Sequence, residues 1–337
     1  MTTPPIMLYD RRGGEIENRH AAHAVVMNTD EEVIESWGDI DQMICPRSSI
    51  KLIQALPLVE SGAFEQFNLS DADLVLACAS HNGEDTHVTP VIDWINRLGL
   101  EESNLECGGH WPSHQSTAHD LVRAKGGFTQ YHNNCSGKHA GMITVCKHMG
   151  WPITGYVSPD HPLQQMIKQT LSDLSDTPMN QIKTVIDGCS APNYFLPLKN
   201  IARAFARFLS GHGLSDSRAA AAQKIITAIQ KHPYLIGGQD RFCTELAQSS
   251  KGRVIGKIGA MGNYIVLAPQ DNMVIYAKIE TGSRESVETL IATMLKRFGL
   301  WDSSMQDSLH KYKDPVIKNC LEVEIGDRRV IFPDKHE

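Results

Sequence analysis

The sequence predicts an α+β protein in which one antiparallel sheet, built from both chain ends, is covered by helices and a largely helical lobe is inserted between them. Three observations lead to this class. Strand-like runs lie before residue 38 and again after residue 252, and helical spacing dominates between them. No repeat, low-complexity stretch or linker interrupts the 337 residues. We expect one unit over 1–337, with a sheet part at 1–45 and 250–337 and a helical part at about 46–249.

The predicted strands are short apolar runs separated by turn residues. Asn28-Thr29-Asp30 separates the second strand from the third, and Pro269-Gln270-Asp271-Asn272 closes a hairpin in the last third of the chain. A final hairpin is expected around Gly326-Asp327. In chain order, the predicted strands are 5–9, 21–27, 32–37, 253–258, 264–268, 273–279, 321–325 and 329–332.

The first strong helix is predicted to open at Ser48, because Pro46 fixes φ near the helical value and apolar side chains then recur. Pro57 is expected to kink or end its first part. The apolar run 73–79 is too short to assign to helix or strand, and it leads into the polar turn 80–84. Apolar spacing and flanking glycines predict further helices at 89–98, 136–148, 162–174, 198–209, 216–231 and 285–298.

Composition limits the class of partner. A formal charge of -7, a pI near 6.1 and the lack of any Lys/Arg run argue against nucleic acid. No apolar run reaches membrane-spanning length. The first five residues, Met1-Thr2-Thr3-Pro4-Pro5, lack the basic and apolar regions of a signal peptide, so a cytoplasmic location is expected. There the eight cysteines would be reduced, and a cysteine cluster would be metal-binding or reactive.

Three short motifs that suit acyl transfer occur in a characteristic order. Ser48 and Lys51 form Ser-x-x-Lys at the start of a helix, Ser80-His81-Asn82 lies on a loop, and Lys257-Ile258-Gly259 lies on a C-terminal strand. This order matches the S-x-x-K, S-D-N and K-T-G motifs of penicillin-recognising serine enzymes, although the third match is a bare Lys-x-Gly. Each match alone has an ordinary alternative, such as a capping serine and a surface lysine. Their joint order favours a functional interpretation.

The chemistry of this set is that of an activated serine. A serine hydroxyl attacks a carbonyl only when a neighbouring base takes its proton. Lysine serves as that base only when neutral, and burial or a second positive charge lowers its pKa. Lys51 and Lys257 in one pocket would affect each other in this way. We expect Ser48 to form the acyl-enzyme and Ser80 to relay protons or orient the substrate.

Two further segments each present a thiol in a polar turn. They are Asn134-Cys135-Ser136-Gly137-Lys138-His139 and Asp187-Gly188-Cys189-Ser190-Ala191-Pro192. Two thiolates with either His139 or Asp187 would suit a tetrahedral zinc site. The alternative is a pair of buried cysteines that act as small apolar side chains.

Taken together, these segments resemble the asparaginase II family, the thermolabile rhizobial-type L-asparaginases, over nearly the whole chain. The shared segments are Arg47-Ser48-Ser49-Ile50-Lys51 with the following 54–62, Ser80-His81-Asn82-Gly83-Glu84, 135–142, 187–192, and Gly237-Gly238 before Arg241-Phe242. The resemblance implies a fold like that of serine β-lactamases and some glutaminases. It implies hydrolysis of L-asparagine to L-aspartate and ammonia, and a homodimer.

The resemblance also implies two Ser–Lys pairs. Ser48 with Lys51 matches the first pair, and Ser80 with a C-terminal lysine matches the second. We place that lysine at Lys257, with Lys251 as the alternative.

The family binds zinc through two cysteines and a lysine, which match Cys135, Lys138 and Cys189. Such a lysine must be deprotonated to bind the metal. It replaces His139 or Asp187 as the third ligand, and both remain substrate-binding or ligand-orienting residues together with Arg47 and Asn82. Met261, where the family leads us to expect an acidic residue, is a departure that could alter the pocket wall.

Two kinds of rival interpretation stay open. One is another acyl hydrolase of the same fold, either a glutaminase or an enzyme that handles β-lactams, and the cytosolic location argues against the latter. The other is a catalytically silent zinc- or ligand-binding module on the same scaffold. The presence of both serines and both lysines argues against the silent module.

Overall fold

The computed structural model describes residues 3–333. The strands within it are β1 (Ile6–Arg12), β2 (Glu15–Asn28), β3 (Val33–Trp37), β4 (Met43–Ile44), β5 (Lys183–Ile186), β6 (Pro192–Pro197), β7 (Ile255–Gly259), β8 (Asn263–Ala268), β9 (Met273–Ile279), β10 (Val316–Lys318) and β11 (Glu324–Ile331). Eight of them form one antiparallel sheet in the order β10-β11-β1-β2-β9-β8-β7, with β3 paired to β2. The predicted α+β class, with a sheet drawn from both chain ends, is confirmed.

The helices are α1 (Lys51–Gln54), α2 (Leu56–Glu60), α3 (Ala63–Gln66), α4 (Asp71–Cys78), α5 (Asp85–Arg97), α6 (Gln115–Arg123), α7 (Ser136–Met149), α8 (Pro162–Ser175), α9 (Leu198–Ser210), α10 (Asp216–Lys231), α11 (Phe242–Ser249), α12 (Arg284–Arg297) and α13 (Gln306–Lys313). Helices α9 and α12 pack on the main sheet, and α4 packs against α7 and α10 in the helical part. No helix among residues 3–333 is long and apolar enough to cross a membrane.

The segment that could not be assigned from sequence is helical. Residues 73–79 fall almost entirely within α4, which begins with a capping box. Ser70 Oγ accepts a hydrogen bond from the backbone N–H of Asp73 at 3.2 Å, and the Asp73 carboxylate accepts one from the backbone N–H of Ser70 at 2.8 Å. These two bonds satisfy N–H groups that the first turn of a helix leaves free, which favours helix over strand.

The helical middle also contains a second sheet that the sequence analysis missed. Its three strands lie in the order β4-β6-β5, all antiparallel. These strands are short, and the segment 183–186 is partly exposed, so apolar spacing gave little signal. The β5–β6 turn is the Asp187-Gly188-Cys189-Ser190-Ala191 segment, so this small sheet positions one of the two thiol turns.

The predicted C-terminal hairpin around Gly326-Asp327 is wrong. Both residues lie inside the continuous strand β11, where Gly326 is opposite Arg12. A Cβ at Gly326 would lie 2.0 Å from the carbonyl oxygen of Arg11, so the glycine serves a close approach of two strands rather than a turn. The actual turn precedes β11, where Asn319 N–H bonds to Val323 O and Glu322 has a φ of 60°.

Two glycines allow the backbone approaches that assemble the site. A Cβ at Gly137 would lie 2.3 Å from the carbonyl oxygen of Leu76, so α7 and the end of α4 touch through a glycine. A Cβ at Gly259 would lie 2.3 Å from the carbonyl oxygen of Pro46, so the end of β7 lies directly against the turn before α1. Each of these two contacts joins segments that are far apart in the chain.

Candidate active site

Two buried lysines, one at the start of α1 and one on strand β7, contact one serine hydroxyl. Lys51 Nζ lies 3.0 Å from Ser80 Oγ, and Lys257 Nζ lies 2.7 Å from the same oxygen. Each lysine is only 1% exposed, and Ser80 is buried as well. Lys51 also donates to the carbonyl oxygens of Ala79 at 2.5 Å and Asn134 at 3.3 Å. The Lys51 amine thus has an acceptor for each of its three hydrogens when it is protonated.

The loop that carries Ser80 is fixed from two sides. The backbone N–H of Ser80 donates to Ile236 O at 3.2 Å, which ties the loop to the segment before α11. The ring of His81 accepts from Gly83 N–H at Nδ1, and its Nε2 lies 2.9 Å from Ser136 Oγ at the start of α7. A loop between fixed elements holds its side chains in one geometry, as an active site requires.

Lys257 has the environment of a lysine that is neutral near physiological pH. Burial and then the positive charge of Lys51 lower the pKa of Lys257 to about 7. Besides Ser80, Lys257 Nζ bonds only to the carbonyl oxygen of Ile258, at 2.9 Å, among the side-chain bonds within residues 3–333. The alternative residue Lys251 is exposed in the turn after α11, with a φ of 53°.

Ser48 lines the same cavity as Ser80, a space of about 160 Å³. It lies in a short 3-10 helix, Arg47–Ile50, that leads into α1, and no side chain caps the start of that helix. Within the described part of the chain, the Ser48 hydroxyl forms no side-chain hydrogen bond, and the residue is half-buried. The hydroxyl of the next residue is differently placed, because Ser49 Oγ donates to Pro46 O and lies 3.1 Å from the Tyr276 hydroxyl.

The thiol turns meet beside this serine cluster. Cys135 immediately precedes α7, and Lys138, in the first turn of that helix, donates from Nζ to Cys189 Sγ at 3.1 Å. All three residues are buried. The serine cluster and the thiol cluster are joined through Asn134, whose carbonyl oxygen accepts from Lys51 and whose side-chain oxygen lies 3.2 Å from Cys135 Sγ.

The charges in the thiol cluster are those of an ion pair. The hydrogen bond from Cys135 and the charge of Lys138 outweigh burial and lower the pKa of Cys189 to about 4. The same hydrogen bond, with burial, raises the pKa of Cys135 to about 12. Burial acts against the charge on Lys138, yet the Cys189 and Cys135 sulfurs raise the pKa of Lys138 above its usual value. Without a metal, the cluster is therefore a thiol, a thiolate and an ammonium group.

The donor set of this cluster fits a zinc ion. Two sulfurs and one nitrogen converge, and sulfur with nitrogen is the donor chemistry that zinc prefers. Among residues 3–333, no group of three or more His, Cys, Asp or Glu side chains could hold a metal ion. A zinc ion bound by Cys135 and Cys189 would therefore take Lys138 as its third protein ligand.

Asp187, one of the predicted substrate-binding residues, is paired with another of them. Arg47 Nη2 lies 2.6 Å from Asp187 Oδ1, and the other carboxylate oxygen accepts from Asn193 Nδ2 at 2.8 Å. Burial would raise the pKa of Asp187, but the Arg47 hydrogen bond and the Lys138 charge outweigh it and lower that pKa. This pair occupies the guanidinium of Arg47 and fixes the turn that presents Cys189.

His139 and Asn82 have different hydrogen-bond partners. The Tyr156 hydroxyl and His139 Nδ1 are 2.5 Å apart, and burial, then the Lys138 charge, lower the pKa of His139 to about 3, so the ring is neutral. Asn82 Nδ2 donates to Gln239 O at 3.2 Å, whereas its Oδ1 is buried with no hydrogen-bond partner among the described residues.

Sequence reasoning missed three residues of the serine cavity: Asn134, Arg241 and Arg284 all line it. Asn134 and Arg241 belong to segments that the sequence analysis quoted, and the available signal for Arg241 was a charged residue three positions after the Gly237-Gly238 pair. The arginine at 284 carries no local signal, because only the sheet topology brings it to the cavity. Met261, the departure from the expected acidic residue, is 59% exposed and lines the rim of the same cavity.

A comparison with known protein families matches residues 9–330 of this chain to L-asparaginase II. The chain belongs to the L-asparaginase II family. The matched range includes every residue of the serine and thiol clusters, and the family is one of amidohydrolases. No curated protein matches the chain.

Solved structures with a similar arrangement of elements are β-lactamases of very low sequence identity. A β-lactamase from Mycobacterium bovis is 12% identical, with a TM-score of 0.43, over 87% of this chain and 95% of that one. A β-lactamase from Sphaerobacter thermophilus is 11% identical, with a TM-score of 0.38, over 84% of this chain and 93% of that one. These values describe a distant likeness only.

Proposed function

We propose that this chain hydrolyses L-asparagine to L-aspartate and ammonia through an acyl-enzyme. The observation that carries the proposal is the contact of Lys51 and Lys257 with one serine oxygen, in a cavity that also contains Ser48. Membership in the L-asparaginase II family supports the choice of substrate. An amide carbonyl needs a strong nucleophile and a proton for the departing amine, and two serines with two lysines supply both.

In this proposal Ser48 attacks the side-chain amide carbon of asparagine. Its hydroxyl is free to turn toward a substrate, whereas Ser80 Oγ is held between two amines. The Ser48 proton passes to Ser80, and the Ser80 proton passes to neutral Lys257, whose pKa is lowered to about 7 by burial and by Lys51. The bond that forms is Ser48 Oγ to carbon, and the tetrahedral intermediate then loses ammonia.

The proton that leaves with ammonia follows the reverse route. Lys257, now protonated, returns its proton through Ser80 to the amide nitrogen, and the C–N bond breaks. Water then attacks the Ser48 ester with the same relay acting as base, which releases L-aspartate and restores the Ser48 hydroxyl. Lys51 stays a hydrogen donor to Ser80 Oγ throughout and stabilises negative charge on that oxygen.

A zinc ion held by Cys135, Lys138 and Cys189 belongs to the same proposal. The convergence of two sulfurs and an amine beside Asn134 supports it. When bound, zinc would supply a Lewis acid next to the serine cavity. Binding of the metal requires that Lys138 and Cys135 lose their protons. The Arg47–Asp187 pair would contribute by holding the turn that carries Cys189 in place. The homodimer stays a prediction of the family resemblance, and the cytoplasmic location stays a prediction from the N-terminal residues.

The test is ammonia release from L-asparagine, measured beside L-glutamine and a chromogenic penicillin. The wild-type chain is expected to prefer L-asparagine. A preference for L-glutamine would indicate a glutaminase, and a preference for the penicillin would indicate an enzyme that handles β-lactams. No turnover of any of the three substrates would favour a silent binding module.

The assignment of the serines is tested with Ser48→Ala, Ser80→Ala and the matched control Ser49→Ala. Ser48→Ala is expected to abolish turnover, Ser80→Ala to slow it severely, and Ser49→Ala to retain most activity, because Ser49 faces Pro46 and Tyr276. Mass spectrometry of the trapped acyl-enzyme locates the ester. An ester on Ser80 would reverse the two roles.

A further inference from the structure

Arg241 is a largely enclosed arginine without a carboxylate partner. It lies immediately before α11 and lines the serine cavity. Within residues 3–333 its guanidinium forms no hydrogen bond or ion pair, and burial, then the charge of Arg284, lower the pKa of Arg241 below its ordinary value. Arg47, in contrast, is bonded to Asp187 at 2.6 Å. Arg241 is thus a positive charge next to the reactive serines that has the charge of Glu288 nearby but no direct carboxylate contact among the described residues.

Arg241 and Arg284 also connect two cavities. Both residues line the serine cavity and a neighbouring cavity of about 380 Å³ that is lined by Asn82 as well. Arg284 bonds to Glu288 through Nε at 2.9 Å, and its side chain is 44% exposed. None of the described residues that line the serine cavity is acidic. The lining of the serine cavity therefore contains two arginines and no acidic side chain, while Glu288, the partner of Arg284, lies outside that lining.

An anion at this position would give Arg241 a partner and Arg284 a second partner besides Glu288. A guanidinium is planar and carries a fork of N–H groups that matches a carboxylate, and it stays protonated over the pH range of enzyme activity. A cation that is withdrawn from water and unpaired raises the free energy of the ligand-free protein. A bound carboxylate lowers that free energy, because it forms charge-assisted hydrogen bonds with the guanidinium. The geometry requires the anion to lie within reach of Ser48 and Ser80, which also line this cavity.

We propose that Arg241, with Arg284 beside it, binds the α-carboxylate of the amino-acid substrate and so directs the side-chain amide to the serines. This inference rests on the proposed asparaginase function and adds the residues that recognise a free amino acid. Asn82 Oδ1, a buried acceptor without a partner among the described residues, is the complementary group for the α-ammonium. The enzyme would accept free asparagine and reject asparagine whose α-carboxyl is blocked.

The experiment compares L-asparagine with L-asparaginamide, which has the same side chain and no α-carboxylate. The enzymes are the wild type, Arg241→Gln, Arg241→Lys, Arg284→Gln, and the control Arg19→Gln, which removes an exposed positive charge on β2. Products are separated chromatographically, so that side-chain hydrolysis is counted for both substrates. Circular dichroism and thermal melting establish that each variant is folded.

Arg241→Gln is expected to lower kcat/KM for L-asparagine about 10- to 100-fold, chiefly through KM, and to leave kcat/KM for L-asparaginamide unchanged. Arg241→Lys should recover part of the loss, and Arg284→Gln should show a smaller loss of the same kind. Arg19→Gln should behave as the wild type. An equal loss on both substrates would mean a structural role for Arg241, and no loss on either would also overturn the inference.

Calorimetric binding of L-aspartate separates this inference from the proposed function. Wild-type binding that weakens about 10- to 100-fold in Arg241→Gln supports the carboxylate site even if L-asparagine is not hydrolysed. Equal L-aspartate affinity in the wild type and Arg241→Gln overturns the site while leaving asparaginase activity possible. If Arg241→Gln does not fold, the half-exposed Arg284→Gln gives the same two readouts.

Discussion

The serine cluster and the thiol cluster lie side by side, and each buries a lysine in a polar site. Their lysines differ in charge for a physical reason. Lys257 is near a second lysine, and burial with that charge lowers the pKa of Lys257 to about 7. Lys138 is near Cys189, and the sulfur charges raise the pKa of Lys138 although burial opposes this. Burial favours the neutral form of both lysines, and the sign of the neighbouring charge decides whether that effect is reinforced, as for Lys257, or overcome, as for Lys138.

The largest expected effect follows from removing Lys257, the lysine of the serine cluster that is proposed to act as the base. Lys257→Met should lower kcat for L-asparagine by about 10²–10⁴-fold, because Ser80 then has no neutral amine to accept its proton. Folding should be retained or improved, since the variant removes an amine that is costly to charge in the interior. The matched control is Lys251→Met, an exposed lysine in the turn after α11. Steady-state kinetics and melting of both variants check this, and loss of activity in Lys251→Met alone would transfer the role to that residue.

The second prediction concerns the thiol cluster and its binding of zinc. Cys135→Ala and Cys189→Ala should reduce bound zinc from one per chain to background, because each removes a sulfur ligand. Cys320→Ala, at an exposed cysteine, should keep the wild-type content. Elemental analysis of protein purified without added zinc measures all four chains. The same zinc content in every chain would exclude the thiol cluster as the metal site.

The pH dependence of activity sharpens the comparison further. The pKa of Lys257 is lowered to about 7, so the amine is protonated below that pH and neutral above it. We expect kcat/KM for L-asparagine to rise about tenfold per pH unit below 7, level off above it, and hold into the alkaline range. Protonation of Lys138 acts in the same direction, because it competes with the metal. Activity that peaks in acid and falls toward alkaline pH, while the protein stays folded under zinc saturation, would point to a carboxylate or imidazole base.

The smallest expected effect is on stability. Asp187→Asn should lower the free energy of unfolding by about 1–3 kcal/mol, since Arg47 loses a charged partner. The pKa of Asp187 is lowered in the folded protein, so this contribution is present at neutral pH and is lost as the pH falls through that lowered pKa. Urea unfolding at pH 7 and at pH 3 measures it. A difference between variant and wild type that is larger at pH 3 than at pH 7 would contradict the assignment.

Much of the fold follows from local sequence, as the agreement of β9 and α10 with their predicted bounds illustrates. The errors have physical causes. Gly326 was taken as a turn residue, although its role is to let β11 approach Arg11, and only the paired strand reveals that. The missed second sheet consists of short strands without a clear period.

The site was predicted less completely than the fold. Ser48, Lys51 and Ser80 stand in motifs, whereas the pairing of both lysines with Ser80 depends on contacts between residues 29 and 177 positions apart. Arg284 could not be found from sequence, because nothing near it distinguishes it from other arginines at helix starts. The sequence does not show which charged side chains lie close together in the folded protein, and the pKa values of the site depend on that proximity.

The charge state of the two lysines can be measured directly by NMR of selectively labelled lysine side chains in the zinc-free protein, titrated from pH 5 to 11. Resonances are assigned with Lys257→Met and Lys138→Met. We predict one resonance that titrates near pH 7 and is absent from Lys257→Met, and another that stays protonated over the whole range and is absent from Lys138→Met. Titration of the Lys257 resonance only above pH 9 would contradict the account, because that lysine would then be charged when the enzyme is expected to act.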